Sequence, residues 1–281
     1  MSGYQKVESF ILTIIKYFSL CLAAFCALIP VVVCVSTGLK SSVEYANTNV
    51  MTLPQEWRWD NFVYVFQKAN MLTAFKNSFI ILVIVVLGSI FISSMLAYVL
   101  NRFKFFGNGI VRNLFLFATF IPGIAAQVTV YQMMYKLDLV NTLHGYIIMM
   151  LGTDVIAIYI FLQFFENLPV CLDESARMDG ANYFQIFFKI LFPLLKPAII
   201  TSMILKGVGT YNEYYMANLY LQDKNNLVTA ATSLYTFTGP LGNQYNYICA
   251  GVLITLLPAL IIFICCQNQI YSGLAQGAVK G

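Results

Sequence analysis

The chain has 281 residues, of which 59% are hydrophobic and only 10% are charged. A soluble domain carries about 25% charged residues, so this composition excludes an ordinary soluble protein and implies a membrane-embedded one. The net charge of +4 is small and dispersed, which leaves no electrostatic footprint for nucleic acid.

Lys6 and Lys16 lead into an apolar run that reaches Val35. The run is longer than a signal-peptide core and no clear small-x-small cleavage site follows it, so it reads as a retained first span. A span needs about 20 mostly apolar residues. The candidates are residues 11–35, 77–100, 112–135, 145–165, 197–219 and 247–270. The expected fold is therefore all-α, a polytopic bundle of six transmembrane helices forming a single domain over 1–281. After the first span, "LPQEWRWDNFVYVF" in residues 36–76 is rich in rings that favour the membrane–water boundary. The third span contains "FIPGIAAQ", a Pro-Gly break that a bundle absorbs as a kink. The connection 101–111 carries Arg102 and Lys104, with Arg112 just after it and no acid. Being short and basic, it is expected to be cytoplasmic. With an even number of spans, both termini and residues 166–196 share that side, and Lys6, Arg177, Lys189, Lys196 and Lys280 agree. Residues 220–246 form a polar and aromatic outer connection with Gly and Pro turns.

Seven cysteines at 21, 26, 34, 171, 249, 265 and 266 form no CxxC and have no His nearby. They read as small apolar packing residues rather than metal ligands or disulfides. His144, the one histidine, lies in "NTLHG" and reads as interfacial rather than as a ligand. Asp154 lies deeper in the fourth span, where it either lines a path or pairs with a neighbouring helix; both readings stand.

Against this apolar background, "DESARMDGANYFQIFFKILFPLLKP" at 173–196 gathers Asp173, Glu174, Arg177, Asp179, Lys189 and Lys196. Pro169 suits a helix start, Asp173 and Glu174 suit its first turns, and Pro193 and Pro197 close it. Phe184, Phe187, Phe188 and Leu191 follow i, i+3, i+4, i+7 spacing, while Asn182, Gln185 and Lys189 make a polar row. Ala176 and Gly180, one turn apart, leave a shallow spot for close approach. The expectation is one amphipathic helix over about 169–192. A helix lying flat in membrane lipid is the bland alternative. Its polar face mixes acids and bases rather than being Lys/Arg-rich, which favours docking to a protein.

The residues "ESARMDGANYFQIFFKILFP" resemble the coupling motif of ATP-binding-cassette (ABC) importer permeases. That motif runs E-A-A, three residues, G, nine residues, I-x-L-P. Here it reads Glu174-Ser175-Ala176, Gly180 and Ile190-Leu191-Phe192-Pro193, with Ser175 replacing the first Ala and the apolar order before Pro193 shifted. Asp179-Gly180-Ala181 with Phe187 resembles the carbohydrate-uptake branch. So do the Pro…Asn stretch near 54–62 (with Phe62 where Tyr is usual), residues 77–107 and "LDLVNTLHGYI" at 137–147. "GLAQGAVKG" at 273–281 is similar to the end of the maltose-type second permease subunit.

The resemblance implies the ABC type I importer permease fold in the plasma membrane of a bacterium. It implies a non-catalytic subunit of an ATP-driven sugar importer, with Glu174, Ser175, Ala176, Asp179, Gly180, Ile190 and Pro193 docked in a cleft of a cytoplasmic ATPase. The C-terminal Gly277, Lys280 and Gly281 are implied to reach between two ATPase subunits. The chain has no GxxxxGK[ST] phosphate loop, so ATP and Mg are expected on those partners, with no cofactor or metal held by this chain. A homologous permease completes the pore, and an extracellular solute-binding protein delivers the sugar.

Sugar sites combine aromatic faces with amides and acids. Two clusters fit: Tyr211, Asn212, Glu213 and Tyr214 at the end of the fifth span, and Gln127, Thr129, Tyr131 and Gln132 near the third span's break. Glu213 at the outer end of a span is either simply wet or functional, and the second cluster is alternatively interhelical glue. In the maltose-type system the companion subunit holds most of the sugar. The competing functions are a permease for polyamine, phosphate or peptide, an intramembrane enzyme, and a proton-driven carrier. The enzyme lacks its Ser/His, paired-Asp or His-Glu-x-x-His set, and the carrier has only Asp154 for a relay.

Overall fold

The computed structural model describes residues 3–121, 123–152, 154–239 and 242–278, with side chains described between 10 and 268. Among these residues every regular element is helical. In chain order they are α1 (Gly3–Gly38), α2 (Ser42–Asn47), α3 (Asp60–Lys68), α4 (Met71–Arg102), α5 (Asn108–Phe120), α6 (Gly123–Lys136), α7 (Leu143–Met150), α8 (Val155–Glu166) and α9 (Cys171–Met178). They continue with α10 (Tyr183–Leu194), α11 (Lys196–Asn212), α12 (Tyr215–Tyr220), α13 (Ala230–Ser233) and α14 (Tyr245–Ala278).

Among the described residues three helices are long and apolar enough to cross a membrane alone: Phe10–Gly38 of α1, all of α4, and Tyr245–Asn268 of α14. Three bent pairs reach that length jointly: α5 with α6 at 101°, α7 with α8 at 44°, and α10 with α11 at 76°. Local sequence accounts for each break. Pro122 follows Ile121, and a residue before proline is pushed out of the helical region; Ile121 is accordingly extended, with ψ 117°. The gentle kink expected in the third span is thus a sharp turn. At the second break Asp154 caps α8, its Oδ1 accepting from the Ala157 N–H at 3.1 Å. At the third, Pro197 takes the first turn of α11, where its missing N–H costs nothing.

The chain divides into two units. The first, Met1–Met71 with Leu234–Ala259, is organised around Lys40, which is fully buried. Its ammonium donates to the Asn49 carbonyl and the Thr52 hydroxyl, both at 2.9 Å, and to the Thr48 hydroxyl at 3.3 Å. Asn61 donates to the carbonyls of Gly38 and Lys40 at 2.8 and 2.9 Å. A Cβ at Gly38 would lie 3.1 Å from the Ala250 backbone nitrogen, so glycine lets α1 approach α14 closely there. The most apolar stretch of α1 has no buried residue, as suits a helix facing lipid.

The second unit, Leu72–Ser233 with Leu260–Gly281, holds two apolar cores. One joins α4 (Ile90, Tyr98) to α8 (Phe161, Phe165) and α10 (Phe187, Leu191). The other joins α4 (Ile81, Val85) to Met134 of α6, Tyr146 of α7 and Tyr220 of α12. The first core carries the charged segment and the second lies beside the candidate path.

Candidate functional site

The segment expected as one helix over 169–192 is two helices with a designed stop between them. The C-terminus of α9 closes in a Schellman motif, with the Ala181 N–H donating to the Ala176 carbonyl and the Gly180 N–H to the Arg177 carbonyl, both at 2.9 Å. Gly180 supplies the left-handed residue this motif needs, at φ +80°. Asn182 then opens α10 with a reciprocal capping box: its side chain accepts from the Gln185 N–H, and the Gln185 side chain accepts from the Asn182 N–H, each at 2.9 Å. Within α10, Ile186–Leu191 widens to a π-helix. This lies just before Pro193, which has no N–H to return to the preceding turn.

An ion pair that sequence reasoning missed anchors the first of these helices. From its position in the sequence Asp173 is only a helix-dipole acid. The structure buries it against Arg102 at the end of α4, with Nε 3.1 Å from Oδ2 and side chains 8% and 12% exposed. Arg102 also donates to the Leu168 carbonyl at 2.9 Å, the Phe165 carbonyl at 3.4 Å and Asn101 Oδ1 at 2.9 Å. One guanidinium thus holds the end of α4, the end of α8 and the start of α9 together. The signal in the sequence was Arg102 in the short basic connection and an acid starting the charged segment, but spacing alone does not pair them.

The motif residues split by direction. Ala176 is buried in this chain's own core, so its small size serves internal packing and does not open a spot for a partner. Gly180 is exposed with nothing near its missing Cβ; its requirement is backbone conformation. Glu174, Ser175, Asp179 and Pro193 are exposed, and Ile190 is half-buried against the first core. Met178 beside them is 89% exposed. Arg177 lies over the Tyr183 ring at 4.6 Å and donates to its hydroxyl, which ties α9 to α10 across the turn. Gly277 lies in α14, while Lys280 and Gly281 lie outside the described residues.

The path residues fall into separate groups. Gln127 is buried, accepting from the Tyr215 hydroxyl at 3.2 Å and donating to the Met216 sulfur at 3.0 Å. This is the interhelical bonding foreseen as the alternative. Tyr131 is half-buried, its ring tilted 57° against that of Tyr220, and it accepts from Gln222 at 3.1 Å. Thr129, Gln132, Asn212 and Tyr214 are exposed and Tyr211 is half-buried. His144 is exposed in the first turn of α7. Glu213 ends α11 and caps α12, its Oε1 accepting from the Met216 N–H at 2.9 Å.

Glu213 also lines a cavity of about 200 Å³ between α8 and α11, together with Asp154, Ser202, Lys206 and Thr210. Asp154 Oδ2 lies 3.5 Å from the Lys206 ammonium and 3.5 Å from the Ser89 hydroxyl. Asp154 therefore pairs with a neighbouring helix and lines a cavity at once. Ser202, Lys206 and Thr210 are spaced i, i+4, i+8 and share one face of α11. The signal in the sequence is this i, i+4, i+8 polar stripe through an apolar span. Beyond α12, Asp223 accepts from the Asn226 side chain at 2.8 Å and from the Asn225 and Asn226 N–H groups, which hold its carboxyl below the usual range.

Comparison with known proteins agrees with this architecture. Residues 89–268 match the family described as "Binding-protein-dependent transport system inner membrane component". The arabinooligosaccharides transport system permease protein AraQ of Halalkalibacterium halodurans is 33% identical over 92% of this chain and 93% of its own length. The melibiose/raffinose/stachyose import permease protein MelC of Bacillus subtilis is 31% identical over 90% of this chain and 91% of its own. A chain from the crystal structure of a bacterial ABC transporter involved in alginate import superposes with a TM-score of 0.81 at 22% identity, covering 95% of this chain and 98% of that one. At that identity the likeness speaks for the fold alone.

Proposed function

This chain belongs to the family of binding-protein-dependent transport inner membrane components, and from that premise we propose that it forms half of the translocation path of an ATP-driven importer for a sugar or oligosaccharide. The observation that supports the sugar reading is end-to-end similarity to permeases named for oligosaccharide transport. These relatives do not favour a permease for polyamine or peptide. In this reading the companions are a homologous permease, two ATPase subunits that hold ATP and Mg, and an extracellular binding protein.

The coupling role goes to α9 and the turn after it. Asp173 and Ala176 fasten one side of α9 to this chain, while Glu174, Ser175, Met178 and Asp179 face outward. An ATPase that grips the outward side moves α9 as a lever. Through Arg102 and the shared core the push reaches α4, α8 and α10, and hence α11. Closure of the ATPases on ATP then favours one of two states of the path, and hydrolysis restores the other. Gly277, Lys280 and Gly281 are assigned to a second contact with the ATPases, on resemblance alone. The orientation that places α9 and both termini in the cytoplasm rests on the basic connection holding Arg102, Lys104 and Arg112.

The test is Glu174→Arg. Its side chain is exposed, so the chain should still insert in the membrane and assemble with its companion permease. Reversing the charge at the docked face is expected to remove the ATPase subunits from the complex purified in mild detergent and to reduce uptake at least 10-fold, a loss of about 1.4 kcal/mol or more. Normal ATPase recovery with normal uptake would remove Glu174 from the docking face.

A further inference from the structure

Resting on the sugar reading above, we infer that the cavity between α8 and α11 is a transit subsite for one neutral, hydroxyl-bearing unit of the solute. Three observations carry the inference. First, Ser202 Oγ and Thr210 Oγ1 are buried and have no hydrogen-bond partner among the described residues, and both residues line the cavity. Buried hydroxyls are normally satisfied, and an orphan is costly to keep unless something fills the need in another state. Second, Lys206 and Asp154 lie within apolar spans, where ionisable side chains mark solute paths more often than ordinary packing. An ammonium has three donors, and 3.5 Å from Asp154 it makes at most a loose contact. Third, Ser202, Lys206, Thr210 and Glu213 follow one another along a single face of α11, so the polar groups form a track along the span.

The chemistry of the lining selects the ligand class. Carboxylates accept, the ammonium donates and the two hydroxyls do both, which matches the mixed donors and acceptors of a polyol. The formal balance is two acids against one base, which disfavours an anionic unit such as a uronate. Met150, Ile156 and Leu205 supply an apolar wall for C–H faces, and no aromatic ring lines the cavity among the described residues. Pockets for drug-sized ligands run to about 300–1,000 Å³, so about 200 Å³ suits a single ring, with the rest of an oligomer lying outside it. A site without stacking binds weakly, as passage requires: favourable enough to enter and weak enough to leave.

The experiment is uptake into proteoliposomes that contain the whole transporter and its binding protein. The probes are labelled melibiose, raffinose and arabinobiose, with labelled digalacturonate as the acidic comparator. The variant Ser202→Ala/Thr210→Val removes both unpaired oxygens and leaves the Asp154–Lys206 pair intact. Its saturating uptake rate for the neutral saccharide that wild type imports is expected to fall roughly 10-fold. Complex yield is expected at the wild-type level, with a melting temperature equal or higher because two orphan groups are gone, and digalacturonate is expected to enter at background. If wild type imports none of the neutral probes, the sugar reading of the chain fails. If wild type imports them and the double variant is equally fast, the subsite assignment alone is overturned and water is the occupant. Loss of the companion permease from the double variant overturns it in favour of a side chain of that subunit. Equal import of digalacturonate by wild type overturns the choice of a neutral ligand.

Discussion

Arg102 and Asp173 meet about 3 Å apart with both side chains close to fully buried. A buried pair is weak evidence of net stability, but removing one partner strands the other charge and costs about 3–5 kcal/mol. Asp173→Asn is therefore expected to lower the melting temperature of the purified chain sharply. Arg102→Met/Asp173→Leu should recover part of that loss. A double-mutant cycle with additive effects would show that the two do not act as a pair. Lys40 follows a different logic, since its ammonium is satisfied by neutral oxygens alone among the described residues. Neither partnership was legible from spacing: Arg102 and Asp173 lie 71 residues apart, and Lys40 sits in a stretch whose sequence signals only an interface.

At the scale of the element, the turn 179–182 decides how the charged segment at 173–196 is built. Gly180 has open space around it, so Gly180→Ala meets no clash and reports backbone strain alone. A Cβ in the left-handed region costs about 1–2 kcal/mol. Gly180→Ala should therefore destabilise the chain by about 1 kcal/mol, and Gly180→Asn by less because Asn tolerates that region. Equal melting temperatures for wild type and Gly180→Ala would contradict the Schellman assignment. The amphipathic spacing of Phe184, Phe187, Phe188 and Leu191 was readable and is real in part: Phe187 and Leu191 are buried, whereas Phe184 and Phe188 are exposed. Phe187 and Leu191 are the two of the four that enter the first core, and the 3.6-residue register holds only up to Gln185, because Ile186–Leu191 winds as a π-helix.

For the whole molecule, orientation rests on charge placed in short loops. Tags near Lys104 and near Glu174 should be shielded from reagents in intact cells, and a tag near Asn225 should react. Labelling near Glu174 in intact cells would invert the topology and detach α9 from any cytoplasmic motor. The six spans reduce in the structure to three unbroken helices and three bent pairs. The bends follow Pro122, Asp154 and Pro197, residues visible in the sequence whose angular consequence was not. Irregular backbone at membrane depth is tolerated where it lies within protein or along a water-filled path, and the Asp154 break lies at the cavity.

The sequence by itself determined the membrane class, the helical composition and the place of the charged segment at 173–196, because these depend on hydrophobic run length, helix signals and short-range spacing. Tertiary structure alone decided that Ala176 faces inward, that Asp173 belongs to Arg102, and that Asp154 and Lys206 border one cavity with Ser202 and Thr210. Those facts depend on which helix faces meet. In a chain that is apolar on almost every face, periodicity carries little information about which side turns toward protein and which toward lipid.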